Sequence, residues 1–313
     1  MKTAFLFSGQ GSQSIGMGLD LYQNFSVARS VFQEVDEALQ QNLSELMFRG
    51  DISELTQTQN AQPAIMAVGM AVVRVLEQEL GMPLADKATF MAGHSLGEYT
   101  ALCAAGAISL TDTARLLRAR GNAMSKADTT GGMTAVLGLT KEQIETLVEQ
   151  ASTSTEQVVV ANDNCIGQTI VSGHKNALNR VKELAESLGA KRVLPLAVSG
   201  AFHSPYMKSA ELELEPVLNG ISIQSINIPV VANVTAKPET IATEIKQNLL
   251  AQMTGTVRWT ESAGYMVEQG IDTFVECANG KVMTGLMKRL APNANLLSVG
   301  DSAGIENVLK ALT

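Results

Sequence analysis

The feature that most constrains the fold is a small-residue segment at residues 93–97, which reads Gly-His-Ser-Leu-Gly. A strand pattern at Ala88–Ala92 precedes it and a helical pattern at Glu98–Ala105 follows it. In a Gly-x-Ser-x-Gly turn between strand and helix, the flanking positions have no room for a Cβ and the serine hydroxyl projects from the end of the sheet. The N-terminus of the next helix would stabilise a developing negative charge. The segment predicts Ser95 as a nucleophile, with an ordinary turn serine as the alternative.

The remaining apolar segments alternate between strand and helix patterns. Short buried strands are predicted at 3–7, 229–231, 273–276 and 296–299, and helices at 62–80, 110–126, 205–218 and 281–290. Such alternation favours an α/β layered fold. Because a chain of 313 residues exceeds the usual length of one domain, about 100–200 residues, two units are expected.

Shorter strand and helix patterns alternate in the region from about Gly131 to Pro195. Strands are predicted at 133–137, 157–161, 168–172 and 191–195, with helices at 141–150 and 175–188. This β-α-β-β-α-β order is the ferredoxin-like one. We therefore expect an inserted subdomain at residues 129–198, with a hinge at 127–132, and a main domain made of residues 1–128 and 199–313.

Charge and composition exclude several classes of protein. The formal net charge of −8 argues against a general nucleic-acid surface and against an anionic-membrane anchor. The longest apolar run, Ala64–Val73, is far shorter than the roughly 20 residues of a membrane helix, and no export signal is visible at the N-terminus. Three isolated cysteines suit reduced thiols, and the dispersed histidines and cysteines predict no metal site. We expect a cytoplasmic protein.

A serine nucleophile needs a base, and the chain has three histidines. His94 adjoins Ser95, where successive side chains diverge, and His174 starts a helix in the predicted subdomain. His203 lies in a small-residue loop before a proline-initiated helix and downstream of Ser95, as in the chain order of hydrolases. We favour His203 as the base, with a structural role as the alternative. Because no acidic residue follows it closely, a backbone carbonyl is a candidate for its orienting partner.

Two further features are ambiguous in the sequence alone. Arg120 lies on the predicted helix 110–126 and points away from Arg118, but periodicity does not decide whether it faces inward. An inward Arg120 would supply a bidentate partner for a substrate carboxylate. The loop Gly9–Gln13 could offer a backbone N–H to an oxyanion, or could be an ordinary glycine-rich turn.

Several ordered motifs together resemble the malonyl-CoA:acyl carrier protein transacylase family, which includes acyltransferase domains of polyketide synthases. The resemblance spans nearly the whole chain. It is carried by Phe7–Gln13, Thr58–Pro63, Gly93–Tyr99, Arg120, Asn162, Gly200–His203 and Gly280–Val282. The family fold is a hydrolase-like parallel-sheet α/β domain with an inserted ferredoxin-like subdomain.

The resemblance also implies roles for individual residues. It makes Ser95 the nucleophile, His203 the base and Arg120 the clamp on the malonyl carboxylate. The remaining implied roles are backbone N–H groups of Gln10 and Leu96 in the oxyanion hole, the Gln252 carbonyl as the histidine's orienting partner, and Phe202 and Asn162 as substrate-binding residues. Phe202 resembles the malonyl-selecting version of the family, because an aromatic ring leaves less room for an α-methyl branch.

Two departures from the family pattern surround the predicted site. Ser8 stands where many relatives have Pro, and Ala278–Gly280 (Ala-Asn-Gly) replaces the usual Gly-Pro-Gly. The shape of that second loop is therefore not predicted.

The function implied is ping-pong transfer of a malonyl group from malonyl-CoA to the phosphopantetheine thiol of acyl carrier protein, in fatty-acid or polyketide synthesis. A seryl ester is the intermediate, and no metal or cofactor is expected. Malonyl-CoA and the carrier protein are the expected partners, without nucleic acid or membrane, and the protein is expected to be a monomer. The alternatives are a serine thioesterase or hydrolase, and a non-catalytic carrier-protein-binding module.

Overall fold

The architecture is that of a computed structural model, which describes residues 2–127 and 130–312. The strands in these residues are β1 (Thr3–Phe7), β2 (Ala88–Gly93), β3 (Gly131–Leu137), β4 (Val158–Cys165), β5 (Gln168–His174), β6 (Arg192–Pro195), β7 (Val230–Val231), β8 (Pro238–Glu239), β9 (Thr273–Cys277) and β10 (Asn295–Val299).

The α-helices in the same residues are α1 (Leu19–Asn24), α2 (Ser26–Leu39), α3 (Leu43–Arg49), α4 (Ile52–Leu55), α5 (Thr58–Leu80), α6 (Leu96–Ala104), α7 (Leu110–Lys126), α8 (Lys141–Ala151), α9 (Lys175–Ser187), α10 (Lys208–Gly220), α11 (Ala242–Ala251), α12 (Trp259–Glu268), α13 (Val282–Leu290) and α14 (Ser302–Leu312). None of the helices described is long and apolar enough to cross a membrane.

The larger sheet has the strand order β10-β9-β1-β2-β7-β8. Its first five strands are parallel, and β8 runs antiparallel to β7 at one edge. All residues of β1 are buried, as expected for a parallel strand covered by helices on both faces. Because the carboxyl ends of parallel neighbours open at the same edge, the loop after β1 lies beside the turn after β2. The predicted α/β parallel-sheet fold is confirmed.

Helices α5 and α7 form the layer that carries Arg120. Helix α5 is buried along most of its length, and α7 packs along it. The structure gives α7 the predicted bounds, but α5 begins at Thr58 instead of Gln62 and contains Pro63 in its second turn. The start of α5 was therefore predicted four residues too late.

The smaller sheet is antiparallel, with the order β4-β5-β3-β6. The elements follow the chain as β3-α8-β4-β5-α9-β6, which is the predicted ferredoxin-like order. Helix α8 begins with a capping box, in which Thr140 and Gln143 exchange hydrogen bonds between side chain and backbone. The predicted domain limits stay a prediction, and the boundary between residues 128 and 129 lies outside the described residues.

The middle of β4 pairs with the segment that precedes α12 in the main part of the molecule. The Val257 N–H donates to the Ala161 carbonyl at 2.8 Å, and the Asp163 N–H donates to the Val257 carbonyl at 3.0 Å. Asn162, between these two bonds, therefore lies at the junction of the smaller sheet with the rest of the molecule.

One helix differs from its predicted form. The helix expected at 205–218 starts as a 3-10 turn over Pro205–Met207 and becomes α-helical only from Lys208. The Ser204 hydroxyl accepts a hydrogen bond from the Tyr206 N–H and so shapes this tighter first turn.

Candidate active site

Ser95 occupies the turn between β2 and α6 in a backbone conformation that non-glycine residues rarely adopt, with φ of 53°. A Cβ on Gly93 would lie 1.9 Å from the carbonyl carbon of Gly97, and a Cβ on Gly97 would lie 2.2 Å from the carbonyl oxygen of Phe7. Both glycines are therefore required by close backbone contact. The result is a sharp turn that lifts the Ser95 hydroxyl above the sheet.

His203 contacts Ser95 directly. The distance from Ser95 Oγ to His203 Nε2 is 2.8 Å, and that from His203 Nδ1 to the Gln252 carbonyl oxygen is 2.9 Å. Burial, followed by the charge of Arg120, lowers the pKa of His203 to about 3. The imidazole is therefore neutral at pH 7. With Nδ1–H donating to the carbonyl, Nε2 is left to accept the serine proton.

The other two histidines lie apart from this contact. His94 Nε2 is 2.7 Å from Asn164 Oδ1, and burial lowers the pKa of His94. His174 caps α9, with its Nδ1 accepting a hydrogen bond from the Asn176 N–H. Neither arrangement brings a histidine other than His203 against the Ser95 hydroxyl.

Arg120 points inward and is 1% exposed. Its Nη2 donates to Ser95 Oγ at 3.0 Å and to Gln252 Oε1 at 2.9 Å, and its Nη1 donates to Gln62 Oε1 at 2.7 Å. Tyr99 stacks on the guanidinium, with 5.3 Å from Cζ to the ring centroid. In the described part of the chain no Asp or Glu forms an ion pair with Arg120, and its Nε has no hydrogen-bond partner. The site therefore holds a buried cation that lacks an anion.

Gln10 and Leu96 line the same cleft as Ser95. Leu96 is the first residue of α6, so its N–H is among those that helix geometry leaves without an intrahelical acceptor. Gln10 follows β1 at the same edge of the sheet and lines the same cleft as Ser95. Gln10 and Leu96 thus line the cleft from the ends of two neighbouring strands.

A cleft of about 350 Å³ joins these residues. It lies between the two sheets, and most of its exposed lining is apolar. The predicted site residues that line it are Gln10, Ser95, Leu96, Arg120, Asn162, Phe202 and His203. Gln252 is fully buried and lies behind the lining, against His203 and Arg120.

The two departures from the family pattern have partners close to the cleft. The Ser8 hydroxyl donates to Glu276 Oε1 at 2.7 Å. The Glu276 carboxylate also accepts hydrogen bonds from the N–H groups of Met283 and Thr284 in the first turn of α13. Asn279 Nδ2 donates to the Ser12 carbonyl at 2.8 Å. Asn279 therefore ties the 278–280 loop to the Gly9–Gln13 loop.

Sequence reasoning missed several polar residues behind the cleft. Gln62 binds Arg120, Asn164 binds His94, and both Asn233 and Glu98 bind the groups around the Ser95 turn. Gln62 and Glu98 fall inside segments that carried the family resemblance, which was an available signal. Asn233 had none, because it follows a two-residue strand far from the motif in sequence.

Comparison with known proteins gives a consistent family. The model described as an acyl transferase domain matches residues 4–304. The malonyl CoA-acyl carrier protein transacylase of Bacillus subtilis (strain 168) is 41% identical over 313 residues, which cover 99% of this chain and 97% of that protein.

Solved structures of similar proteins superpose on this chain over nearly its full length. The crystal structure of the acyl-carrier-protein S-malonyltransferase from Bartonella henselae has a TM-score of 0.96 and 46% identity, covering 100% of this chain and 99% of that one. A malonyl-transacylase solved in complex with its type II PKS acyl-carrier protein has a TM-score of 0.94 and 37% identity, covering 99% and 100%. Because the family model and the relatives cover almost the whole length of the chain, the chain belongs to the acyl transferase domain family.

Proposed function

We propose that the protein transfers a malonyl group from malonyl-CoA to the phosphopantetheine thiol of acyl carrier protein through an ester on Ser95. The observation that carries this proposal is Arg120, a buried guanidinium next to the nucleophile without a carboxylate partner in the described residues. A buried charge is costly unless it is paired, so a site that keeps one open suits an acyl group with its own carboxylate. A hydrolase of neutral esters would gain nothing from it.

In the first half-reaction Ser95 Oγ attacks the thioester carbonyl while His203 Nε2 takes the hydroxyl proton. The Gln252 carbonyl stabilises the imidazolium through its bond to Nδ1–H. The N–H groups of Gln10 and Leu96 donate to the developing oxyanion. The C–S bond then breaks, the proton on His203 passes to the CoA sulfur, and a malonyl ester remains on Ser95.

The second half-reaction uses the same groups in reverse. The phosphopantetheine thiol gives its proton to His203 Nε2 and its sulfur attacks the ester carbonyl. The Ser95 oxygen leaves and recovers the proton from His203, and malonyl-carrier protein is released. Arg120 holds the malonyl carboxylate by a bidentate pair through both halves, with Gln62 and Gln252 supporting its guanidinium.

Phe202 supports a preference for malonyl over branched acyl groups. It is buried and lines the cleft next to His203 in sequence, and Asn162 on β4 lines the same cleft. An α-methyl group would have to displace an aromatic ring. Discrimination by one methyl group in such a pocket is about 1–3 kcal/mol.

The carrier protein is the proposed acceptor, as in the malonyl-transacylase solved with its carrier. This chain has a net charge of −8, which would repel an acidic partner unless cations surround the entrance. Val282 and Leu286 of helix α13 line the cleft. Three exposed cations lie on or next to the same helix, namely Lys281, Lys288 and Arg289. The proposal includes a cytoplasmic monomer that needs no metal or cofactor, as the family resemblance implies.

The test is the intact mass of the protein after brief incubation with malonyl-CoA, with Ser95→Ala as the control, followed by a chase with holo carrier protein. We expect a malonyl increment that requires Ser95 and moves to the carrier. An increment lost to water would instead favour a thioesterase. Absence of any increment would favour a non-catalytic binding module.

A further inference from the structure

The strained backbone of Ser95 is held by two side-chain amides from distant parts of the chain. The Ser95 N–H donates to Asn233 Oδ1 at 2.7 Å, and Asn233 Nδ2 donates to the Gly93 carbonyl at 2.7 Å. The Ser95 carbonyl accepts from Gln252 Nε2 at 3.0 Å. A positive φ at a non-glycine residue is strained and persists only where the surroundings hold it. Asn233 and Gln252 are the groups that hold it here.

The backbone of Asn233 and the side chain of Gln252 both donate to one carboxyl oxygen, that of Glu98. Glu98 Oε2 accepts from the Asn233 N–H at 2.9 Å and from Gln252 Nε2 at 2.8 Å. Glu98 is fully buried in the first turn of α6, three residues after the nucleophile. Gln252 in turn binds His203 through its carbonyl and Arg120 through Oε1. The Glu98 carboxyl is therefore connected by hydrogen bonds to the nucleophile, the base and the guanidinium.

The environment of Glu98 favours the neutral acid. Its Oε1 is buried without a hydrogen-bond partner in the described residues, and the same holds for Oε1 of Glu239. The charged or titratable groups facing Glu98 are Glu239 on β8, Arg120 on α7 and Tyr99 on its own helix. Burial, followed by the charge of Glu239, raises the pKa of Glu98 to about 8, against the opposing effects of its hydrogen bonds and Arg120.

A neutral Glu98 has a consequence for Arg120. An ionised carboxylate at this position would attract the guanidinium and compensate part of its charge before the substrate arrives. A carboxylic acid keeps the two hydrogen bonds to Asn233 and Gln252 and leaves the positive charge to the acyl carboxylate.

We propose that Glu98 and Asn233 are positioning residues of the acyl transfer, which hold the Ser95 turn and Gln252 in place while a protonated Glu98 leaves the charge of Arg120 to the substrate. This inference rests on the proposed function, because it assumes that Arg120 binds the malonyl carboxylate. Neither residue touches the reacting atoms. Both act through Ser95, Gln252 and Arg120.

The first test uses the pH dependence of the KM for malonyl-CoA in the acylation step. In the wild-type enzyme we expect this KM to rise as the pH passes through about 8, because ionised Glu98 competes for Arg120. In Glu98→Gln the rise should disappear, since the amide oxygen accepts both hydrogen bonds and cannot ionise. In Glu239→Gln the rise should move to lower pH, because a charge that opposes ionisation of Glu98 is gone. A rise that persists in Glu98→Gln overturns the assignment.

A second measurement separates this inference from the identity of the substrate. Labelling of Ser95 by a fluorophosphonate probe reports the geometry of the nucleophile and its base without any malonyl group. We expect Asn233→Ala and Glu98→Ala to slow labelling by about 10- to 100-fold, because small displacements of reacting groups have effects of this size. Glu98→Gln should recover most of the rate. Equal labelling rates in all variants would overturn the positioning role even where malonyl transfer is observed.

Misfolding and failure of the proposed function give different results. Thermal unfolding of each variant identifies an alanine variant that does not fold, and Glu98→Gln then carries the test because it keeps the volume and both accepted bonds. If the wild-type protein labels with fluorophosphonate but does not acylate with malonyl-CoA, the proposed function fails while the positioning role of Asn233 can still be measured. Acetyl-CoA, which has no free carboxylate, should show no KM rise near pH 8.

Discussion

Two arginines show how differently this molecule treats positive charge. Arg180, in the smaller subdomain, donates to Glu156 Oε2 at 2.7 Å and to the Ala151 carbonyl at 2.8 Å, and its side chain is 33% exposed. Arg120, under the cleft, is bound by two neutral amides and a hydroxyl, and no carboxylate of the described residues pairs with it. The partly exposed Arg180 has its counter-ion and the buried Arg120 does not.

The two arginines differ in the free energy of keeping their charge: Arg180 is compensated by an ion pair within the protein, and Arg120 is not. A surface ion pair contributes at most about 1 kcal/mol, and water screens it. A buried guanidinium costs much more to desolvate, and burial lowers the pKa of Arg120. A protein retains such a group where a bound anion compensates the cost. The unpaired buried guanidinium beside Ser95 therefore supports the proposal that the acyl substrate carries a carboxylate.

The largest expected effect comes from removing the buried cation. Arg120→Ala should lower kcat/KM for malonyl transfer by about 30- to 5,000-fold, because losing one partner of a buried charge pair costs about 2–5 kcal/mol. Transfer of acetyl groups should be spared or improved. Arg118→Ala is the matched control, since Arg118 lies on the same helix but binds Asn60 and Gln41 outside the cleft. Equal losses for malonyl and acetyl transfer would exclude the carboxylate clamp.

A smaller effect is expected where the cleft recognises the shape of the acyl group. Phe202→Ser should raise kcat/KM for methylmalonyl relative to malonyl transfer by about 10- to 200-fold, which corresponds to about 1–3 kcal/mol for one methyl group. The ratio from competition between the two CoA esters is the measurement. If the ratio does not change, Phe202 does not select the acyl group.

The pH dependence of stability should also distinguish the two regions. The pKa of His203 is about 3 in the folded protein, so the unfolded chain binds a proton that the folded one rejects. The free energy of unfolding should fall as the pH drops below about 6.5, by about 1.4 kcal/mol per pH unit for this one group. Glu156, whose pKa is lowered by Asn176 and Arg180, should lose its contribution only at more acidic pH.

Urea unfolding at pH 5, 6 and 7 measures this effect. His203→Gln stays neutral, and buried His94 and the raised pKa of Glu98 affect it and the wild-type protein alike. The free energy of unfolding of the wild-type protein, taken relative to that of His203→Gln, should therefore fall between pH 7 and 5. An identical loss in the wild-type protein and in His203→Gln would show that His203 is not buried as a neutral group.

The smallest effect is expected for the exposed arginine. Arg180→Ala should lower the free energy of unfolding by less than about 1 kcal/mol, because its ion pair with Glu156 is partly exposed. The ratio of malonyl to acetyl transfer should stay at the wild-type value. A change in that ratio would mean that charge in the smaller subdomain reaches the substrate, and the contrast between the two arginines would fail.

Local patterns explain which parts of the molecule could be predicted. The turn around Ser95 and the alternation of elements in the smaller subdomain are encoded by neighbouring residues, and these predictions agree with the structure. Helix α2 was not predicted, although its buried residues Ala28, Val31, Phe32 and Val35 follow helical spacing. That omission was avoidable.

The polar residues behind the cleft are a different case. Asn233 is 138 positions from Ser95, and a lone asparagine or glutamine has no sequence pattern that distinguishes it from a surface residue. The inward orientation of Arg120 was likewise undecided by helical periodicity. The roles of these side chains become visible only when the fold brings β7, α7 and the β2 turn together. The family resemblance therefore identified Arg120, and sequence reasoning did not identify Asn233.

The backbone bonds between Ala161, Asp163 and Val257 affect how this enzyme can diversify. Because main-chain atoms form this seam, its strength depends little on which side chains surround it. Residues of β4 and β5 that line the cleft, such as Asn162 and Ile170, can therefore be exchanged without breaking the bonds between β4 and Val257. These lining positions can vary while the main-chain contact that positions β4 is kept, and a family built this way can acquire new acyl preferences by small steps.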